Sequence, residues 1–301
     1  MSALSGAVFN SGEQSVTLGP EEFRLLRDFV NGFCGLWFDD DSAYFLERRL
    51  QHRLRERQLG SFLDYYYLLL YGPEREEELT KVIDVLTTNE TYFFREMNQL
   101  RTLTEEIVPE IMQRHGTRRR LRIWSAGCST GEEPFTLAIL LLEHPTLLGW
   151  DLEIFASDIS QRVLQAARRG IYTDSSFRST EPAHKQRYFE PVDASSSRVV
   201  ERVRRLVTFG QLNLLAPEQW TILGQFDVIL CRNVMIYFNG EGKKKMVENF
   251  HRKLDDGGFL LLGHSESLMN ISTAFTLRHF LHDMVYQKPE TAAWRPPGAG
   301  A

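Results

Sequence analysis

The stretch from Leu121 to Asp158 confines this chain to few architectures. An apolar run, Leu121-Arg122-Ile123-Trp124-Ser125-Ala126, meets a turn from Gly127 to Gly131. Glu132-Glu133-Pro134 then opens a helix running to Glu143, and a second apolar run from Leu152 ends on Ser157-Asp158. The runs read as buried strands, and Pro134 falls in the helix's first turn, where a missing amide proton costs nothing. Strand, glycine turn, helix and strand in that succession build a parallel sheet, whose ligands collect beyond the carboxyl ends of the strands. Gly127 and Gly131 lie in that crevice, and lacking side chains they let a bound molecule approach the backbone.

The acidic residues beyond the glycines narrow the ligand. Neither G-x-G-x-x-G nor G-x-x-x-x-G-K-[ST] is present, and Glu132-Glu133 would set like charge against a phosphate at the helix start. Asp158, ending the second strand, stands where an acidic residue accepts hydrogen bonds from ribose hydroxyls. A ribose with a cationic arm points to S-adenosylmethionine. Taken singly, each acid has a plainer use: the glutamates stabilise the helix N-terminus and Asp158 caps the next helix. The spacing leaves open whether Glu132 or Glu133 faces the ligand.

The chain's 301 residues, 43% hydrophobic and 25% charged, suit one large domain and a smaller one. A net charge of -5 argues against general nucleic-acid binding. Cys34, Cys128 and Cys231 are too scattered for a zinc site or a disulfide framework, so no metal is expected. With no signal peptide and no apolar run of membrane-spanning length, the expectation is a cytoplasmic protein not inserted in a membrane. A monomer is expected.

Residues 1–19 and 289–301 read as disordered tails, and residues 20–86 as a helical domain with helices over Glu21–Phe33, Ser42–Gln58, Ser61–Tyr71 and Glu74–Val85. A linker and connecting helix occupy 87–117. From 118 to 288 strands and helices alternate, ending in paired strands that turn near His282-Asp283. An inserted antiparallel lobe is expected at about 178–207, with Arg178–Phe189 helical and the β-branched Val199–Val207 extended.

Five motifs in order carry a resemblance: Thr87-Thr88-Asn89-Glu90-Thr91-Tyr92-Phe93-Phe94-Arg95-Glu96, Ser125 through Pro134, Phe155-Ala156-Ser157-Asp158-Ile159, Cys231-Arg232-Asn233-Val234-Met235-Ile236-Tyr237-Phe238, and Gly263-His264-Ser265-Glu266-Ser267. Together they resemble the CheR family of chemotaxis receptor methyltransferases, from about Pro20 to Lys288. The resemblance implies a Rossmann-like α/β methyltransferase domain carrying the inserted lobe and preceded by a small all-helical domain. It implies that Asn89, Thr91 and Arg95 close over S-adenosylmethionine, and that Glu133 and Asp158 bind it beside Gly127. Asn213 and Leu214 would lie near the adenine, with Arg232 and Asn233 at the mouth of the fourth strand. Arg95 and Tyr237 would border the transferred methyl group as the catalytic pair, while His264 and Glu266 read as structural. The implied reaction forms glutamyl methyl esters on a bacterial chemoreceptor and leaves S-adenosylhomocysteine. A methyltransferase for another acceptor, or a non-catalytic cofactor-binding signalling module, would share part of this pattern.

An ionised glutamate is already a nucleophile at neutral pH, so orientation and water exclusion matter more than a general base. Tyr237 could hold one carboxylate oxygen and aim the other. In the helix from Leu46 to Gln58, Arg49 and Arg53 lie one turn apart with Arg48, Arg55 and Arg57 nearby, a basic patch on an acidic protein. The resemblance sets that helix against the receptor's acidic methylation helices. Residues 190–205 lack the glycine of relatives that bind a receptor's C-terminal pentapeptide tether, so no tether binding is expected.

Overall fold

A computed structural model describes residues 16–290; the expectations for 1–15 and 291–301 lie outside the described residues. Of the expected N-terminal tail, Val16–Gly19 is anchored: Leu18 is buried and its amide donates to Glu47 Oε2 at 2.8 Å. The chain divides into two compact units, which among the described residues comprise 16–29 with 38–86, and 30–37 with 87–290.

The helical unit is built from α1 (Pro20–Cys34), whose last turn groups with the other unit, α2 (Ala43–Glu56), α3 (Phe62–Tyr71) and α4 (Arg75–Leu86). Leu46, Leu50 and Leu54 recur every fourth residue along α2, and all three are buried. Ser61 caps α3 by accepting from the Asp64 amide at 3.0 Å. Helix α4 packs on α2 and α3 through Leu79, Val82, Ile83 and Leu86.

In the second unit α5 (Met97–Arg101) runs through a π-helical turn, Thr102–Ile107, into α6 (Val108–Arg114). Next along the chain are β1 (Arg120–Ala126), α7 (Glu132–Glu143), β2 (Asp151–Asp158) and α8 (Gln161–Arg169). After these come β3 (Ile171–Thr173), α9 (Pro182–Tyr188), β4 (Phe189–Pro191), β5 (Ser196–Val199), α10 (Glu201–Arg204) and β6 (Val207–Gln211). The chain closes with β7 (Phe226–Cys231), α11 (Gly240–Lys253), β8 (Leu254–Leu262), β9 (Thr276–His279) and β10 (Met284–Gln287).

Seven strands form one sheet in the order β6-β2-β1-β7-β8-β10-β9. The pairs from β6 to β8 are parallel, while β10 is antiparallel to β8 and to β9. Strand order reverses at β1, flanked by β2 and β7, which makes its carboxyl end the topological switch point. One core gathers Phe135, Leu137 and Ile139 of α7 with Ile123 and Ile154; another gathers Trp124, Trp220, Phe226 and Phe250. The central strand β7 is therefore buried along its whole length and β8 along most of it, as strands covered on both faces require.

The inserted lobe is a three-stranded antiparallel sheet in the order β3-β5-β4. Its far end departs from the expectation. Val199–Val207 is not continuously extended, because Glu201–Arg204 turns into α10, where Val203 is buried and Glu201 pairs with Arg204 and Arg205. Val207 then begins β6 of the main sheet.

Candidate active site

The turn after β1 takes its shape from a left-handed residue. Gly127 has φ +84°, and a Cβ there would lie 2.4 Å from a Val234 methyl carbon, so both backbone and space require glycine. The amides of Gly127 and Cys128 donate to the Ser157 carbonyl at 2.8 and 2.9 Å, tying the turn to the end of β2. Asp158 continues that tie: Oδ2 accepts from the Ser129 amide and Oδ1 from the Ser160 amide, each at 2.9 Å. The carboxylate thus shapes two loops and also lines a cavity of about 260 Å³ at the carboxyl ends of β1, β2 and β7.

The structure separates the two glutamates that begin α7. Glu133 lines the cavity, with Ser125 Oγ donating to Oε1 at 2.6 Å and Arg232 Nη1 donating to Oε2 at 3.1 Å. Glu132 is buried on another side, receiving the hydroxyls of Thr130 at 2.6 Å and Ser176 at 3.0 Å. Burial pushes its carboxyl above the ordinary range despite these donors.

Across the cavity runs the strap Thr87–Glu96. The Phe93 side chain is wedged among Tyr172, Phe177 and Phe189, and the Phe94 amide donates to Thr136 Oγ1 at 3.1 Å. Phe94 and Glu96 have φ values of 60° and 57°, a conformation non-glycine residues rarely hold. Arg232 spans the join. Its guanidinium donates to the Arg95 carbonyl at 2.6 Å, Glu96 Oε2 at 3.0 Å and Glu133, linking strap to sheet. Arg95 Nη1 meanwhile donates to the Glu90 carbonyl at 2.9 Å.

The far wall comes from the end of β7. Asn233 is left-handed at φ 59°, and the amides of Asn233, Gly263 and Ile236 converge on the Glu266 carboxylate at 2.8, 2.7 and 3.3 Å. Glu266 thereby sets the loop that presents Tyr237, whose hydroxyl makes no hydrogen bond among the described residues. Burial raises the Glu266 carboxyl, although those amides oppose the shift.

Every residue assigned to the cofactor or to the methyl group lines this one cavity: Asn89, Thr91, Arg95, Gly127, Glu133, Asp158, Asn213, Leu214, Arg232, Asn233 and Tyr237. Asn213 does more than line it, since its side-chain amide donates to the Phe33 carbonyl at 2.7 Å and its Oδ1 accepts from the Leu215 amide at 2.9 Å. Sequence reading missed Cys34 and Leu36, which reach the cavity because Leu36 bridges Phe238 and the Trp37 amide donates to the Tyr237 carbonyl at 2.9 Å. Gly35, left-handed at φ +81° with no room for a Cβ beside Phe238, was the available signal. The Cys34 thiol is pushed up to about 12 by burial and is inert as a nucleophile.

The arginine helix departs from expectation. Arg53 is 6% exposed, and its Nε and Nη2 donate to the Glu78 carboxylate at 2.9 and 2.7 Å. Arg57 Nε and the Tyr65 hydroxyl donate to the same carboxylate, each at 2.6 Å. Arg53 is thus an interior strut and not on the exposed face of the helix, because the leucine stripe that buries α2 rotates it inward too. Arg49 is half-buried, bonded to the Val85 carbonyl at 2.8 Å and stacked over Phe45, whereas Arg48 and Arg55 are exposed.

Two family models match the chain. A family model described as the CheR methyltransferase all-alpha domain matches residues 21–87, and one described as the CheR methyltransferase SAM binding domain matches residues 89–282. Chemotaxis protein methyltransferase 2 of Vibrio cholerae is 38% identical over 91% of this chain and 95% of its own length. Chemotaxis protein methyltransferase 2 of Pseudomonas aeruginosa is 37% identical over 87% of this chain and 91% of its own.

Proposed function

Since the chain belongs to the CheR methyltransferase family, we propose that its cavity holds S-adenosylmethionine with Asp158 on the ribose, Glu133 toward the cationic arm and Arg95 and Tyr237 beside the methyl group. The enzyme is an S-adenosylmethionine-dependent protein-glutamate methyltransferase that methylates a chemoreceptor. The observation that carries the site assignment is the convergence of Glu133, Asp158, Arg95 and Tyr237, from four separated segments, on one cavity.

The residues present fit such a ligand. Gly127 keeps the backbone open to it, and Glu133 spends only two of its carboxylate's acceptor positions on Ser125 and Arg232. When bound, S-adenosylmethionine supplies an electrophilic methyl group on a sulfonium centre. The protein's work is to orient the substrate carboxylate, which is ionised without help. Tyr237 donates to one carboxylate oxygen and turns the other toward the methyl. Arg95, held near the Tyr92 ring and the Glu90 carbonyl, attracts the carboxylate by charge. Arg232 keeps the strap closed through the Arg95 carbonyl and Glu96, which excludes water.

On the receptor side the docking face comprises the exposed Arg48 and Arg55 with the partly exposed Arg49, in place of the Arg49 and Arg53 pair. Receptors are engaged through that face, without a C-terminal pentapeptide tether. Two features support the second point: the β4–β5 hairpin is short, and its edge strand β4 carries Pro191, which has no amide to pair with an added strand. The hairpin closes without glycine because Asp193 accepts from the Ser195 amide at 2.8 Å and the Ser196 hydroxyl at 2.6 Å. Incubation with labelled cofactor and receptor, followed by release of base-labile methyl esters, tests the reaction; absence of label on any receptor would overturn it. A free pentapeptide showing saturable calorimetric binding would overturn the tether reading.

A further inference from the structure

A second cavity, of about 250 Å³, adjoins the first. It is lined by Tyr92, Phe94, Glu96 and Met97 of the strap and by Ser179, Glu181 and His184 of the lobe. Tyr92 lines both cavities, so the two share one side chain as a common wall. One side of the wall is apolar and aromatic: Phe94 stacks on His184 with centroids 4.8 Å apart, and Met97 is exposed. The rim is acidic. Glu181 is 74% exposed and lies 4.0 Å from His184 Nδ1, while Nε2 of the same ring contacts Glu143 at 3.1 Å. Among the described residues no lysine or arginine lines the cavity; Arg178, which stacks over the Tyr92 ring at 3.8 Å, and Lys185 are paired with Glu90 and Asp174 at 2.9 Å each.

A groove with Phe94 and Met97 on one side and the exposed Glu181 carboxylate at its rim matches a side chain with a methylene stem and a cationic head. Resting on the function proposed above, we infer that this groove receives a lysine or arginine that lies on the same helix as the methylated glutamate, its stem against Phe94 and Met97 and its charge beside Glu181. Residues three and four positions apart share a helix face, so a glutamate at the first cavity carries such a residue to the neighbouring one. The groove selects which glutamate on an acidic helix is methylated: one flanked by a base is drawn in, and one flanked only by acids is repelled by Glu181.

The test uses the full-length enzyme and receptor cytoplasmic fragments with a single methylatable glutamate, carrying either lysine or glutamate three or four residues to either side. Wild-type kcat/KM is expected to be about five-fold higher for lysine than for glutamate at one of these positions, the ratio shrinking as salt rises. Glu181→Lys inverts the preference, and Ser179→Lys, on the same groove, weakens it if the first variant folds poorly. A lysine-to-glutamate ratio unchanged by both variants, or equal methylation of all fragments by the wild type, overturns the groove assignment alone. Failure of the wild type to methylate intact receptor as well would overturn the proposed function, and the groove with it.

Discussion

In the helical unit Glu78 is wholly buried and receives hydrogen bonds from Arg53, Arg57 and Tyr65; in the sheet unit Glu133 receives one from Ser125 and one from Arg232 and turns toward a cavity. Both are glutamates on helices, bonded to arginines from distant segments. The first network is closed. Burial alone would raise the Glu78 carboxyl, yet the donors outweigh it and hold the group at about 2. The second is left incomplete on the side facing the cavity. A saturated carboxylate is structural, and one with acceptor positions aimed into space is a place for a ligand.

The largest expected effect breaks the closed network. Glu78→Ala leaves Arg53 and Arg57 with uncompensated charge and should cost about 3–5 kcal/mol of stability in the helical unit. Tryptophans 37, 124, 150 and 220 all lie in the sheet unit, so urea unfolding followed by both helical circular dichroism and tryptophan fluorescence separates the two units. Two coincident transitions, unshifted from wild type, would show that the network carries no stability.

Opening the second network further should weaken a ligand. Asp158→Asn removes a charge that hydroxyls would bond, and cofactor affinity should fall at least about tenfold by titration calorimetry. Because Asp158 also accepts the Ser129 and Ser160 amides, a modest loss of stability of about 1 kcal/mol should accompany it. Unaltered affinity in the folded variant would remove Asp158 from the site.

A smaller effect distinguishes interior from surface arginines on α2. Arg48→Ala combined with Arg55→Ala should lower receptor methylation about three- to five-fold at low salt while cofactor affinity holds. Arg53→Ala should instead lower stability, since it leaves Glu78 short of its partner. Normal receptor kinetics in the double variant would mean that α2 is not the docking face.

The smallest effect is with pH. A carboxyl depressed in the folded state contributes stability that is present above its unfolded value of about 4.3 and lost as pH falls through the folded value. For Glu78 the window therefore runs from about 4.3 down to about 2, and the helical unit should not respond to this group between pH 7 and 5. Glu132 and Glu266 are raised by burial, so their contribution has the opposite sign: it is full at acid pH and declines as pH rises through their folded values. Glu132→Gln should therefore remove that decline from the pH profile of the sheet unit's unfolding free energy, followed by fluorescence; a profile identical to wild type would contradict the assignment.

Much of this was legible in the sequence, and the reason is local. Gly127, the start of α7 and Asp158 lie within one strand–turn–helix–strand unit, whose geometry is set by backbone rules acting over a few residues. The leucines of α2 announced its buried stripe by their spacing, but not that Arg53 would rotate under the same surface, because a periodic pattern reports an angle around a helix and not what stands opposite. Val199–Val207 misled for a related reason: β-branched residues fit strands, yet burial of Val203 on α10 overrode that preference.

The sequence by itself determined the mainly parallel sheet, the crevice after its first strand, the helical unit and, through motifs that keep their order along the chain, most of the residues gathered at the cavity, since each depends on short-range pattern or on that order. Only the tertiary structure decided that Glu133 and not Glu132 faces the cavity, that Arg232 clasps the strap at Glu96, that Glu266 holds the Asn233 loop, and that Arg53 is spent on Glu78. The physical reason is common to all four. Adjacent or neighbouring polar residues are chemically interchangeable on paper, and which one is left for a ligand depends on the partners that folding brings from 25 to 136 residues away.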